Sequence, residues 1–305
     1  MSAIGEIINS YTRKTTGRLG VGYKNLISGE EFYVDGDVRF PAASIFKVPV
    51  LIEFFNQLER GVVSMDTMVE LVEKDISLGS GILNKLTLGI KLPLRDYVTL
   101  MMILSDNTAA DYVVRLLGKD NINAMIASMG LKNTTLDYTC NELILANWGI
   151  PINTPRAEAK AKVESGDFTR NVAMYTEPNA PNNWTSPWDM TQIFSLLYSK
   201  KLVSEKACDE MMSIMEQCET NNRLPYLLPK NELDTAQKVI HKTGTLHRIV
   251  NDAGIIASKH QTYILAAFYN GLNASAEERD GNPGSSFGER LLAEMSRDVY
   301  EELHK

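Results

Sequence analysis

The sequence predicts an α+β fold: an antiparallel sheet built from both chain termini, with flanking helices and an inserted all-helical region. Three observations predict it. Strand-like runs stand near residues 20–34 and return between 238 and 269; helical periodicity fills most of the text between; no internal repeat or low-complexity tract interrupts either pattern. At 305 residues the chain has room for one large or two small domains. The expected division is a sheet region, 1–40 with 237–305, and a helical region, 41–236, that contains an expanded irregular loop at about 137–187.

Element by element, residues 20–23 and 31–34 read as a strand pair around the turn-forming Ser28-Gly29. A helix is expected from about Ser44, with Val48, Leu51, Ile52 and Phe55 at helical spacing and Pro49 costing it one backbone hydrogen bond. Further helices are predicted at 94–104, 108–117, 187–198 and 204–217, then strands at 238–242, 249–256 and 262–269. A last helix, 287–304, carries Leu291, Leu292, Met295 and Val299 on one face. Between Asp137 and Pro187 lie five of the eleven prolines (Pro151, Pro155, Pro178, Pro181 and Pro187), so this connection is expected to be irregular, with a short solvated helix near 156–165.

Composition narrows function. Thirty-one basic against 38 acidic residues leave a net charge of −7, the wrong sign for general attraction to nucleic acid. No apolar run approaches the roughly 18 residues of a membrane span. Cys140, Cys208 and Cys218 are too few and too scattered for a disulfide scaffold or a zinc knuckle, and the four histidines form no H-x-x-x-H pair, so no metal or organic cofactor is expected. The first residues, MSAIGEIINSY, hold Glu6 inside their apolar stretch and lack a basic flank, so they do not read as a secretory signal. A cytoplasmic location is expected of the chain as it stands, periplasmic or extracellular if a signal was trimmed. No obligate protein partner is evident.

Chemistry concentrates in three short strings. Ser44-Ile45-Phe46-Lys47 is an S-x-x-K motif at the start of the apolar helix, and its spacing puts hydroxyl and amine on one face, a turn apart. The helix start supplies N–H groups suited to a developing oxyanion. Ser105-Asp106-Asn107 lies between two helical patterns, and Lys242-Thr243-Gly244 ends one strand-like run and precedes another. This trio, in this order, marks class A β-lactamases and penicillin-binding proteins. With Phe40-Pro41-Ala42-Ala43 before the first serine and Thr108-Ala109-Ala110 after the second string, the chain resembles a class A β-lactamase-type serine hydrolase over 40–117 and from 186 onward.

The resemblance implies a β-lactamase/transpeptidase-like fold and a role for each matched residue. Ser44 would be the acylated nucleophile, Lys47 its base or proton shuttle, and Ser105 the relay to the leaving nitrogen. Asn107 would hold the substrate's side-chain amide; Lys242 and Thr243 would hold its carboxylate, with Lys242 also lowering the proton affinity of Ser105 and Lys47. Backbone N–H groups of Ser44 and Thr245 would form the oxyanion hole. Asp106 reads as a residue that fixes its loop, and Arg248 as a solvated strand-edge arginine.

One departure bears on turnover. The family clears its acyl-enzyme with a glutamate in an E-x-E-L-N string; here the matching text is Cys140-Asn141-Glu142-Leu143-Ile144. Cys140 falls on the hydrolytic position, and Ile144 replaces the asparagine that helps hold the water. Glu142 and Glu177 are the alternative bases. A second serine string, Gly284-Ser285-Ser286-Phe287-Gly288, matches G-x-S-x-G with Asp298 and His304 behind it, but one helix cannot fold both partners back onto Ser286, which reads as a helix cap.

The expected activity is serine acyl transfer, led by β-lactam hydrolysis, on a small substrate carrying an amide or ester and a carboxylate. The alternatives are an amidase, esterase or D-amino-acid peptidase on the same Ser–Lys pair, or a penicillin-binding protein that acylates with little turnover.

Overall fold

A computed structural model describes residues 2–229, 237–275, 278 and 286–305. The chain divides into two compact units, Met1–Ile45 with Thr185–Lys305, and Phe46–Trp184. In chain order the first unit opens with α1 (Ala3–Thr12), β1 (Arg18–Asn25), β2 (Glu31–Val34) and the two-residue strand β3 (Phe40–Pro41). The second holds α2 (Lys47–Glu59), β4 (Met68–Glu70), β5 (Lys91–Pro93), α3 (Leu94–Ile103), α4 (Asn107–Leu117), α5 (Lys119–Ser128), α6 (Cys140–Asn147), α7 (Arg156–Ser165) and α8 (Ala173–Thr176). After the short β6 (Trp184–Thr185) the first unit resumes with α9 (Pro187–Tyr198), α10 (Glu205–Glu216), β7 (Lys238–Leu246), β8 (Ile249–Ala257), β9 (Thr262–Asn270) and α11 (Phe287–Leu303).

The first unit is a five-stranded sheet in the order β2-β1-β9-β8-β7. All neighbours are antiparallel, so the two ends of the chain meet where β1 pairs β9, from Arg18↔Asn270 to Asn25↔Tyr263. Side chains alternate across a strand, and each face has its own cover. Leu19, Val21, Tyr23, Leu265, Ala267 and Val250 pack with Ile4 and Ile8 of α1 and Leu291, Leu292, Met295 and Val299 of α11. Burying each such aliphatic side chain stabilises the fold by about 1.5–3 kcal/mol. On the other face a Cβ at Gly22 would stand 2.3 Å from the Thr191 hydroxyl and 2.7 Å from the Pro187 carbonyl, so glycine here lets α9 lie directly on β1.

The architecture is the expected α+β one, and several details differ. α1 was not foreseen; Ser2 caps it by accepting from Gly5 N. Residues 185–229 do not join the helical unit, because α9 packs on β1, β8 and β9, and α10 on β7. Lys242-Thr243-Gly244 lies within β7 rather than at a strand end: pairing with β8 continues to Leu246↔Ile249, closed by His247-Arg248.

In the second unit α2 begins at Lys47, after a single 3-10 turn, Ala43–Phe46. That later start puts Pro49 in the first turn, where its missing N–H has no helical partner to lose. Ten of the thirteen residues of α2 are buried, as its nearly continuous apolar text requires. The connection at 137–187 carries the expected helix near 156–165, α7, and adds α6 and α8 to it. A Thr139/Glu142 capping box starts α6, Pro155 precedes α7, and Gly166 ends α7 at φ 75°. Among the described residues no helix is long and apolar enough to cross a membrane.

Candidate active site

Across residues 40–55 every side chain is buried except that of Ser44, which is half-exposed. The backbone just before it is strained: Ala43 has φ 48°, a left-handed conformation that costs an alanine roughly 1 kcal/mol or more. β7 of the same unit holds this turn. A Cβ at Gly244 would stand 2.6 Å from Ala42 O and 3.2 Å from Ala43 Cβ, and Asn251 Nδ2 donates to Pro41 O at 2.8 Å. Glycine at 244 therefore brings the β7 backbone against the Ser44 turn, which sequence reading had taken only as part of a motif.

Lys242 and Thr243 are buried on β7, and Lys242 Nζ donates to Thr243 O at 2.9 Å. Thr245 is exposed, and its hydroxyl accepts from Arg223 Nη2 at 2.5 Å. Arg223, which sequence reading missed, is buried; its Nη1 donates to Gly244 O at 3.0 Å and Asn251 O at 2.7 Å, and its partner is Glu289. It braces the β7–β8 pair beside a cavity of about 500 Å³ lined by Thr245, His247, Arg248 and Glu289.

In the second unit Lys47 is fully buried, and its Nζ has three oxygen acceptors: Ser105 O at 2.8 Å, Ser105 Oγ at 3.0 Å and Asn107 Oδ1 at 2.9 Å. Three acceptors match the three protons of an ammonium. Ser105 is also left-handed, with φ 53°, and its carbonyl accepts from Ser80 Oγ as well as from Lys47. Asn107 Nδ2 donates to Leu78 O at 2.8 Å. Asp106 is the loop-fixing residue: it caps α4 through Ala109 N and accepts from Ile82 N and Leu83 N.

Cys140 opens α6, buried, within reach of the charges of Lys47 and Asp111. Burial pushes its thiol well up; the charge of Lys47 works against the shift without cancelling it, and Asp111 adds to it. Asp111 was not foreseen. It lies on the buried face of α4, one turn after Asn107, and its carboxylate accepts from Cys140 N at 2.5 Å, Asn141 N at 2.9 Å and Ser77 Oγ at 2.6 Å. Burial raises the Asp111 carboxyl above the usual range despite those three donors and the charge of Lys47. An acidic residue four positions after Asn107 on an otherwise apolar face was the available signal.

The sequence profile of the beta-lactamase enzyme family matches residues 2–303. The chain belongs to that family. It is a serine hydrolase of the β-lactamase type. The beta-lactamase VEB-1 of Pseudomonas aeruginosa is 22% identical over 302 residues, 95% of this chain and 87% of that protein. A beta-lactamase of Sphaerobacter thermophilus superposes with a TM-score of 0.79 at 25% identity, covering 100% of this chain and 98% of the other. PBP-A, solved as an L158E variant in an acyl-enzyme complex with penicillin G, shares the fold with a TM-score of 0.75 at 24% identity, over 99% of this chain and 96% of its own.

Against that β-lactamase pattern, neither alternative glutamate touches the Lys47 cluster. The Glu142 carboxylate is taken by Thr139 N at 2.7 Å and Lys119 Nζ at 3.1 Å. Glu177 ends α8 with its side chain exposed. A Cβ at Gly79 would stand 2.7 Å from Ile144 Cδ1 and 2.6 Å from Asn107 Nδ2, so Ile144 offers a methyl on this side of the cluster. The second serine string dissolves: Gly284 and Ser285 lie outside the described residues, and Ser286 caps α11 in a capping box with Glu289. Asp298 binds Tyr11 and Arg297, while His304 binds Ser258 and Tyr300 O.

Proposed function

We propose that Ser44 attacks the carbonyl of β-lactams and is acylated, with Lys47 and Ser105 moving the proton and with slow hydrolysis of the ester that results. The observation that carries this reading is the Lys47 cluster. A proton taken from Ser44 by Lys47 gives an ammonium already supplied with three acceptors, one of them Ser105 Oγ, which passes a proton on to the leaving nitrogen. The N–H groups of Ser44 and Thr245 take the developing oxyanion; removing one such donor costs roughly 100- to 1,000-fold in rate. Asn107 orients the side-chain amide, and Lys242 with Thr243 holds the carboxylate. Cys140 in the hydrolytic position supports a second reading, a penicillin-binding protein that acylates and scarcely turns over, because a thiol held up by burial is a poor base for water.

Intact-mass spectrometry after addition of penicillin G tests the proposal. The expected result is an adduct on the Ser44 peptide that decays with release of penicilloate. An adduct that never decays selects the second reading, and the absence of any adduct moves the substrate class to other amides or esters. Lys242→Ala is expected to slow acylation by anionic β-lactams about 10- to 100-fold, the scale of a lost charge-assisted hydrogen bond, and to spare neutral esters. Equal losses for both would remove Lys242 from carboxylate binding.

A further inference from the structure

Every position on the Lys47 nitrogen is taken. Besides its carbon the nitrogen has three tetrahedral positions, and they face Ser105 O, Ser105 Oγ and Asn107 Oδ1. To receive the proton of Ser44, Lys47 must turn one position away from this set. The contact with Ser105 Oγ has to survive, because the relay to the leaving group runs through it. The acceptor released is therefore Ser105 O or Asn107 Oδ1. Asn107 is buried, and a buried acceptor stripped of its donor opposes the movement that strips it.

A donor outside the three motif strings reaches both of these oxygens. Ser80 Oγ lies 3.0 Å from Ser105 O and 3.3 Å from Asn107 Oδ1, and its single hydrogen serves either one by rotation of the hydroxyl. The loop that carries Ser80 is fixed to the Ser105-Asp106-Asn107 string on both sides. Asn107 Nδ2 donates to Leu78 O at 2.8 Å, Asn107 N to Ser80 O at 3.0 Å, and Ile82 N to Asp106 Oδ2 at 2.6 Å. Ser80 stands between Gly79 at φ 89° and Gly81 at φ 123°, two conformations that glycine adopts without strain. A Cβ at Gly81 would stand 2.4 Å from the Asp106 carboxylate, so this loop lies directly on the string. The Ser80 side chain is exposed. Water could make the same hydrogen bond only by being ordered there, an entropic cost that a tethered hydroxyl avoids.

We propose that Ser80 is a positioning residue for acylation. Its hydroxyl takes over the acceptor that Lys47 releases, and it keeps Ser105 and Asn107 in place while the amine turns to Ser44. As the Ser44 oxygen forms its new bond, its proton passes to the lone pair of Lys47, and the ammonium returns to its three acceptors. Ser80 gains and loses no proton. The proposal rests on Lys47 as the base for Ser44, and is independent of the choice of a β-lactam as substrate.

The test follows labelling of the full chain by a fluorophosphonate, which needs the Ser44 proton removed but no β-lactam recognition, beside acylation by penicillin G. Ser80→Ala is expected to slow both about 10-fold, the effect of one acceptor left bare, with the half-saturating penicillin concentration within about twofold of wild type. The melting temperature should stay within a few degrees. Ser80→Thr keeps the hydroxyl and is expected to recover most of the rate. A Ser80→Ala rate close to wild type, a loss confined to the half-saturating concentration, a loss with penicillin G alone, or an equal loss in Ser80→Thr overturns the proposal. A wild-type chain that the fluorophosphonate does not label overturns it too, together with the Ser44–Lys47 chemistry. Labelling by the fluorophosphonate but not by penicillin G, with the expected Ser80 effects, upholds the role of Ser80 and overturns only the β-lactam reading.

Discussion

Ser44→Ala is expected to abolish covalent labelling by penicillin G or a fluorophosphonate and leave the melting temperature within a few degrees of wild type. Loss of the nucleophile of a serine hydrolase reduces turnover on the order of a million-fold. The fold has little to lose, because Ser44 is the half-exposed member of an otherwise buried run and alanine keeps the Cβ that the 3-10 turn already accommodates. Labelling that survives in Ser44→Ala and disappears in Ser286→Ala would move the nucleophile to the start of α11. The capping box there predicts another outcome for Ser286→Ala, a loss of about 1 kcal/mol in stability with labelling intact.

Cys140→Glu is expected to speed decay of the acyl-enzyme by roughly 100- to 10,000-fold in single-turnover measurements, the usual range of general-base assistance. The new carboxylate would open α6 next to Lys47, whose charge favours ionisation. The neighbouring Asp111 works against it, because two carboxylates sharing one buried site raise each other's proton affinity, so the gain belongs in the lower half of that range at neutral pH. Glu142→Gln and Glu177→Gln are the controls, and neither should change deacylation. A collapse in either one would identify that glutamate as the base and remove Cys140 from the hydrolytic position.

Much of this was readable in the chain because apolar period and short motifs act locally. The strands 249–256 and 262–269 and the last helix lie where alternation and 3.6-residue spacing put them. What stayed hidden depends on partners distant in sequence. Gly244 reads only as a member of its motif until Ala42 and Ala43 are seen occupying the space of its missing side chain. Asp111 and Arg223 went unread because their buried backbone partners lie 20 or more residues away. α1 is short, and a sheet face supplies its stability, which no local propensity could reveal.

The clasp that Asp111 makes on the first two amides of α6 divides the long connection into a fixed end and a free one. Cys140 and Asn141 are pinned to α4, whereas α7 buries only Ala159 and shows most of its other side chains to water. Changes among the exposed residues of α7, or in the length of the loops beside it, should therefore pass without moving Cys140 so long as Ala159 and Val163 keep their packing on Leu145, since loop length adds only slowly to closure entropy. A library built on the exposed residues of that stretch should leave Cys140 in place, and natural drift in length should accumulate there first.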